Sequence, residues 1–267
     1  MNLFGNSFYS YKIDQYRNQM DMYTRQLSTG KRINSARDDA AGMSVAVRFG
    51  SQIAGNQGGI RSIDQTTSAL MTIDGALSGA IDVLNEMKDL TIQAQNDTLS
   101  AADRTNIQQQ IDDLKAVYDD SISTFSFNGS NFLDNTTVVT MQTGSGSFTF
   151  SGKDVTDGGA EGVNLTGIDV STTAGGQTAQ VQIEASVETL LDARSYYGGK
   201  VNALSYRKDA LVQQNIALQE SRSRIEDADL AKAMSEFTKF QILEQSNLQM
   251  IQQRDALNYN ILSLLSF

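Results

Sequence analysis

Paired acidic side chains are the residues of this sequence whose spacing could support acid–base catalysis or metal binding. The three groups are Asp38–Asp39, Asp119–Asp120 and Glu226–Asp227–Asp229. The chain contains no histidine and no cysteine, so the commonest general base and the thiolate metal ligands are missing. We therefore expect these carboxylates to lie on solvated surfaces or to cap helices. We predict no catalytic residue, no metal site and no cofactor, and hence a protein that is not an enzyme.

Composition narrows the class of protein further. The 267 residues include no proline, which breaks helices by removing a donor and clashing with the preceding turn. The net charge of −10 argues against nucleic acid or an anionic membrane as a partner. We find no apolar run of the roughly 18 residues that a membrane-spanning helix needs. We also find no basic region followed by an apolar core at Met1–Ser10, so we expect no cleaved signal peptide.

The elements that must position these side chains are long helices. The first has a heptad seam that fails at Gly30; its apolar members are Tyr9, Ile13, Tyr16, Met20, Tyr23 and Leu27. A polar link, Lys31–Asp39, follows, and in it Ser35 and Asp38 predict a capping box for the next helix. That helix is predicted over about 44–98, with Ile63, Leu70, Leu77, Leu84 and Thr91 recurring every seven residues. A second series with the same period runs through Thr66, Ile73, Ala80, Met87 and Ala94. A third helix is predicted from Ala101.

The C-terminal part mirrors this order. A heptad series runs through Leu190, Tyr197, Leu204, Leu211, Leu218 and Ile225. A second polar link, Ser221–Asp229, precedes a last amphipathic stretch that includes Met234, Phe237, Ile251, Leu257, Ile261, Leu264 and Leu265. Between the halves, Val138–Thr143 and Ser147–Phe150 have β-propensity and flank Gly144, Ser145 and Gly146, which predicts a hairpin.

These patterns predict a mainly α fold with long, antiparallel, coiled-coil-like rods from the two halves of the chain and a small β-hairpin tip. The predicted regions are 1–36 (N-terminal helix), 37–128 (further N-terminal helices), 129–183 (hairpin and loops), 184–225 (C-terminal helix) and 226–267 (last helix). The 60–94 and 190–225 seams are expected to pack against each other within one chain. The terminal seams have no evident partner there, so we expect them to pack between copies, and packing that does not close gives a helical filament.

Each of the two polar links contains both basic and acidic residues. Arg37 and Arg224 stand beside acidic neighbours in the two links, namely Asp38, Asp39, Glu226 and Asp227. We predict ion pairs between the links, of small energy because such pairs are exposed.

Several blocks resemble the bacterial flagellin family. LSTGKRINSARDDAAGMSVAVRF (27–49) resembles its N-terminal signature, and LNEMKDLTIQAQNDTLSAADRTNIQQQI (84–111) and SFNGSNFLD (126–134) resemble the blocks that follow. SRSRIEDADLAKAMSEF, QILEQSNLQMIQQ and the terminal LSLL match the C-terminal signature. The blocks stand in the family's order and cover about three quarters of the chain.

The resemblance implies a function and partners. It implies an extracellular structural subunit, exported through the flagellar type III apparatus without a cleaved signal, that self-assembles into the flagellar filament for motility. It further implies that the terminal segments form the filament's inner core and the heptad rods its outer tube. The implied partners are an export chaperone on the C-terminal segment, a filament cap, hook-associated proteins and an innate immune flagellin receptor.

Two departures from the family pattern matter. The block matching the receptor surface, Met87–Gln93, has Lys88 where many flagellins have arginine, and Asp89 in place of glutamate. Lysine cannot make arginine's bidentate contacts, so the candidate receptor surface of Met87, Lys88, Asp89, Leu90 and Gln93 is altered. The 55 or so residues between the helical halves are also few, which favours a core-only member of the family.

Two alternatives stay open at this point. A hook–filament junction protein of the same superfamily typically has proline after the paired aspartates, whereas Ala40–Ala41–Gly42 follow them here. A secreted helical adhesin or effector would have the helices without polymerisation.

Overall fold

The computed structural model describes residues 3–133, 138–142 and 146–265. Within them the chain forms five helices and one hairpin: α1 (Leu3–Thr29), α2 (Ala40–Ala94), α3 (Ala101–Ser123), β1 (Val138–Gln142), β2 (Ser147–Ser151), α4 (Thr173–Glu226) and α5 (Leu230–Leu265). The predicted mainly α fold with a small hairpin is confirmed. The expected turn residues Gly144 and Ser145 lie outside the described residues.

The chain divides into two compact units. Unit 1 comprises Met1–Ile53 and Ile216–Phe267, and unit 2 comprises Ala54–Asn215. Unit 1 therefore holds α1, α5 and the two polar links. Unit 2 holds α3, the hairpin and most of α2 and α4.

The core of unit 2 is built on the two heptad series. Leu70, Leu77 and Leu84 of α2 and Leu190 and Leu204 of α4 are fully buried in one apolar cluster. A repeat of seven keeps the apolar side chains on one stripe of each helix, so both helices can bury the whole series against other elements of the unit. The prediction that these seams pack within one chain is confirmed for the part of α4 up to Leu211.

Helix α3 and the hairpin complete unit 2. Ser100 caps α3 in a reciprocal capping box with Asp103, whose backbone N–H donates to the Ser100 hydroxyl oxygen over 3.2 Å. Strands β1 and β2 pair antiparallel, with Met141 opposite Phe148. Alternation along the strands buries Met141 and Phe150 in the common core.

Helix α4 begins at Thr173, ten residues before the end of the region that the sequence assigned to hairpin and loops (129–183). The Gly-rich stretch there looked like a loop. Its small residues instead allow a close approach to α2: a Cβ on Gly176 would lie 3.4 Å from the Thr91 carbonyl oxygen. Ala179 and Ile183, on the next turns of α4, are buried in the common core.

The predicted capping box at Ser35 is wrong. Ser35 and Asp38 form a turn, in which the Ser35 N–H donates to the Asp38 carboxylate over 2.9 Å. Helix α2 begins after this turn, at Ala40, and Asp39 caps it by accepting the Gly42 N–H over 2.8 Å. Two successive acidic residues therefore have different tasks, which spacing alone does not reveal.

Candidate subunit-packing surface

The predicted seam of α1 packs on α5 of the same chain. Ile13 is buried, and the other members, Tyr9, Tyr16, Met20, Tyr23 and Leu27, are half-buried. The rings of Tyr16 and Tyr23 both lie against Phe240 of α5, with centroids 6.0 and 5.9 Å away. The expectation that this seam has no partner within the chain is wrong.

Polar contacts fix the antiparallel direction of this pair. Arg17 Nε lies 2.7 Å from Glu244 Oε1, and the guanidinium of Arg254 lies 5.5 Å from the ring centre of Tyr9. The α5 residues that face α1 include alanine, glutamate and arginine as well as phenylalanine, so the stripe has no clear apolar period in the sequence. That mixture is why the pairing was missed.

Helix α5 carries a second set of apolar side chains that α1 does not cover. Met234, Ile242 and Leu257 are 53%, 59% and 56% exposed. Leu230, Leu248, Met250 and Tyr259 are exposed as well. Phe237 and Ile251 are half-buried, and the side chains of Ile261, Leu264 and Leu265 lie outside the described residues. Seven large apolar side chains that stay exposed on one described helix make α5 a candidate interaction surface.

Backbone hydrogen bonds join the two polar links. The Arg32 N–H donates to the Glu226 carbonyl oxygen over 2.6 Å, and the Ala228 N–H donates to the Gly30 carbonyl oxygen over 2.9 Å. Gly30 has φ +71°, a conformation that glycine adopts without steric cost. The glycine lets the chain leave α1 and run beside the end of α4.

Glu226 forms two ion pairs where residues 30–33 meet residues 222–228, a region we call the junction. Lys31 Nζ contacts its carboxylate, and Arg222 Nε lies 2.7 Å from Oε2. Partial burial acts to raise the pKa of Glu226, but the hydrogen bonds from Lys31 and Arg222 outweigh it and hold that pKa below its ordinary value.

The predicted ion pairs of Arg37 and Arg224 are wrong. Neither arginine forms an ion pair within the described parts of the chain, and Arg37 is exposed. Of the acids in the links, Glu226 pairs across the two links with Lys31, whereas Asp38 and Asp227 have local partners. The pKa of Asp38 is lowered chiefly because its carboxylate accepts the Asn34 N–H, with Ser35 adding to the effect. The Asp227 carboxylate accepts the Ser223 hydroxyl.

Sequence reasoning missed Lys31, Ile33 and Arg222. Arg222 stands one helical turn before Glu226, a spacing that favours an ion pair, so this contact had a visible signal. Ile33 is 5% exposed, and an isolated apolar residue inside a polar link was a second signal. Nothing in the sequence distinguishes Lys31 from other exposed lysines.

The candidate receptor surface is only partly a surface. Met87 is fully buried because it belongs to the heptad series that runs through Ile73 and Ala80, and its inclusion was wrong. Asp89 and Gln93 are exposed, and Lys88 and Leu90 are half-exposed. Lys88 Nζ lies 2.9 Å from Glu184 Oε1.

Across 3–133, 138–142 and 146–265, no three metal-ligating side chains converge. In the same part of the chain, no helix combines the length and apolarity needed to cross a bilayer.

Comparison with known proteins gives consistent matches along the chain. Residues 7–137 match the family model for the bacterial flagellin N-terminal helical region, and residues 179–265 match the model for the C-terminal helical region. A flagellin of Halalkalibacterium halodurans is 31% identical over 255 residues, covering 93% of this chain and 92% of that protein. A flagellin of Listeria monocytogenes is 30% identical over 251 residues, covering 88% of each.

A solved structure shares the fold. The structure described as a putative flagellar hook-associated protein from Vibrio parahaemolyticus matches with a TM-score of 0.57 over 71% of this chain and 100% of that chain. Its sequence identity of 16% limits this likeness to the fold.

Proposed function

The chain belongs to the bacterial flagellin family and is a structural subunit of the flagellar filament, and we propose that it polymerises through its terminal helices, α1 and α5. Members of the family form the extracellular filament by self-assembly and are not enzymes. The hook-junction and adhesin alternatives are not favoured, because the relatives that are 31% and 30% identical to this chain are flagellins matched over 92% and 88% of their length.

The observation that carries this proposal is the exposed apolar set on α5. Fully burying a Leu, Ile or Met side chain contributes about 1.5–3 kcal/mol. Side chains that are already about half-covered, such as Met234, Ile242 and Leu257, would contribute roughly half of that each. Packing against a second copy would therefore release several kcal/mol per subunit, summed over the set. The α1 seam supports the proposal indirectly, because it holds α5 in place.

A triple substitution tests the role of α5. Met234→Ser, Ile242→Ser and Leu257→Ser change side chains that α1 leaves exposed, so the monomer should keep its helicity and unfolding midpoint. The variant should lose filaments, as measured by sedimentation and negative-stain electron microscopy of seeded protein. Wild-type filament yield in this variant would overturn the proposal.

A matched control separates loss of apolar surface from general damage to α5. Lys232, Gln241 and Gln252 are exposed polar residues of the same helix. Changing these three to serine removes side chains of similar length without removing apolar surface, and filament yield should stay near that of the wild type. Deleting Asp229–Phe267 should abolish polymerisation altogether.

We further propose that the same exposed set is held by an export chaperone before assembly. Such a chaperone would cover the C-terminal segment, 229–267, before export. The triple serine variant should then lose affinity for the chaperone in a titration, whereas the polar control should keep it. Equal affinity of both variants would contradict this assignment. Contacts with a filament cap and hook-associated proteins are proposed at the ends of the same polymer, where α5 has no neighbouring copy.

Recognition by an innate immune receptor is proposed only for the exposed part of the predicted surface. Lys88, Asp89, Leu90 and Gln93 remain after Met87 is removed from it. Because Lys88 is paired with Glu184, we expect weak receptor activation, and Lys88→Arg should strengthen it. An unchanged response to the arginine variant in a reporter-cell assay would argue against this surface.

A further inference from the structure

A buried pair of amides joins α2 and α4 inside unit 2. Asn56 and Asn215 are 4% and 7% exposed. The Asn56 side-chain amide donates to the side-chain oxygen Oδ1 of Asn215 over 3.0 Å and to the side-chain oxygen Oε1 of Gln214 over 3.3 Å. No motif or match discussed above accounts for this pair.

The pair interrupts an otherwise apolar seam. Asn56 precedes Ile63 by seven residues, so it occupies the position of the series that continues with Leu70, Leu77 and Leu84. Asn215 follows the buried Leu211 by four residues on the same face of α4. Asn56 therefore stands where the repeat would place an apolar side chain, and Asn215 is buried beside it on α4.

The surrounding stretch of α2 offers little apolar packing. Between Ile53 and Ile63, the buried residues of α2 are Asn56 and Gly59. Gly55 and Gly58 flank them, and a Cβ at Gly55 would meet no other atom within 4 Å. Glycine adds no side chain to the contact and weakens the helix. Hydrophobic packing alone therefore does not specify how the two helices align here.

The other contacts between α2 and α4 share one antiparallel alignment. Asp64 pairs with Lys208, Asp74 with Arg194 and Lys88 with Glu184, at N–O distances of 2.7, 2.8 and 2.9 Å. The charged side chains of these pairs are between 33% and 53% exposed, and exposed pairs discriminate weakly between alignments. The amide pair is in the same alignment and is buried, so its loss would leave donors and acceptors unsatisfied.

We propose that Asn56 and Asn215 fix the axial register of α2 against α4 in this stretch, at the expense of some stability. If α4 slid along α2 by seven residues, apolar side chains of one helix would again face apolar side chains of the other. Little buried apolar area would be lost. The same shift separates the two amides and places Asn215 opposite Ile63 or Phe49, where its side chain has no partner. Single buried asparagines set register in coiled coils in this way.

Replacing both amides by leucine tests the proposal. The chain has no cysteine, so spin labels can be attached at Gln57→Cys and Ala203→Cys, exposed sites on the two helices. These sites are offset by about 16 Å along the axis in the native register, and a one-heptad shift changes the offset by about 10 Å. The monomer is measured, so the result does not depend on the proposed role of α1 and α5.

The labelled wild type should give one narrow distance distribution. Asn56→Leu with Asn215→Leu should raise the unfolding midpoint and add a second distance about 10 Å from the first. Thr91→Val is the matched control: Thr91 is buried in the same heptad series, but its hydroxyl donates within its own helix, to Lys88 O over 2.7 Å. The control should keep the single distance.

Two outcomes would overturn the proposal. One is an unchanged single distance in the double leucine variant. The other is a double leucine variant that is less stable than the wild type or does not fold, because the amides are argued to reduce stability. Asn56→Ala with Asn215→Ala provides a second check that avoids added volume, and it should also show the second distance.

Discussion

The phenol of Tyr197 holds the chain at Phe132, 65 residues away in sequence. Its hydroxyl donates to the Phe132 carbonyl oxygen over 2.6 Å and accepts the Lys153 N–H over 2.8 Å. Tyr197 is 1% exposed. One side chain of α4 therefore satisfies two backbone groups, one on each side of the hairpin, and ties the hairpin to the helical core.

Tyr197→Phe should reduce the free energy of unfolding by about 1 kcal/mol. The Phe132 carbonyl oxygen and the Lys153 N–H keep the hydrogen bond of 3.2 Å that joins them, but both lose the phenol as a second partner. Urea unfolding followed by circular dichroism measures the loss. Tyr196→Phe is the control, since the described contacts of Tyr196 are made by its ring, over which Lys200 lies at 4.8 Å. Equal losses in the two variants would contradict the role given to the Tyr197 hydroxyl.

Contacts like this one mark the limit of what the sequence reveals. The heptad series through Leu70 and Leu190 is a local signal, because a period of seven implies one stripe on one helix and hence burial. The partner of Tyr197 depends on where the chain returns after the hairpin, and no periodicity encodes that. The same holds for α1 and α5, whose contact includes Glu244 and Arg254.

Local chemistry misled the sequence reading where two explanations fit the same residues. Gly175 and Gly176 suggested a loop, but Gly176 lets α4 approach α2 closely, and a Cβ on Gly175 would clash with the Asp169 carbonyl oxygen. The family resemblance placed Met87 on the candidate receptor surface, although its position in a heptad series already predicted that it is buried. The spacing of Ser35 and Asp38 predicted a cap at Ser35, but the residue that caps α2 is Asp39.

The buried hydroxyl of Tyr118 makes the fold less stable at alkaline pH. Its hydroxyl donates to the Val155 carbonyl oxygen over 2.6 Å. Burial raises the pKa of Tyr118, and the carboxylates of Asp119, Asp157 and Asp154 raise it further. The stabilisation is complete below the ordinary tyrosine pKa of about 10 and is lost as pH rises above it, because only the unfolded chain can then ionise.

Tyr118→Phe should therefore lower the free energy of unfolding at neutral pH by about 1–3 kcal/mol. It should also flatten the fall in stability above about pH 10. Urea unfolding between pH 7 and 11 compares the two proteins. An alkaline slope that is equally steep in the variant would show that another group causes it.

Asp119 carries a charge that the fold disfavours. Partial burial raises the pKa of Asp119, and the nearby Asp157 carboxylate adds to the effect, whereas Lys115 opposes it. Because the folded pKa lies above the unfolded one, stability is greatest at low pH and falls as pH rises through the folded pKa. Asp119→Asn should raise the free energy of unfolding at neutral pH by less than about 1 kcal/mol, since the site is partly solvated.

The measurement is a comparison of unfolding at pH 7 and pH 3. The gain from Asp119→Asn should be present at pH 7 and small at pH 3, where the wild-type carboxyl is also neutral. The neighbouring exposed residue offers a control, Asp120→Asn, which should change stability little at either pH. A loss of stability at pH 7 in Asp119→Asn would contradict the assignment.

Glu226 has the opposite dependence, because its pKa is lowered by Lys31 and Arg222 despite partial burial. Its contribution is present above the ordinary glutamate pKa of about 4.3 and is lost as pH falls through the lower folded value. Glu226→Gln keeps the shape of the side chain but removes the charge. At pH 7 it should speed amide hydrogen exchange in residues 30–33 by a factor of up to about 5, which corresponds to roughly 1 kcal/mol or less. The effect is limited because the side chains of Arg222 and Lys31 are 40% and 42% exposed.

At pH 3 the exchange rates of the two proteins should converge, after correction for intrinsic chemistry. Glu220→Gln is the control, because Glu220 is an exposed acid on the same helix and lies outside the junction. Its exchange pattern in residues 30–33 should match that of the wild type at both pH values. Faster exchange in Glu226→Gln that persists unchanged at pH 3 would place the effect in side-chain packing and not in the ion pairs with Lys31 and Arg222.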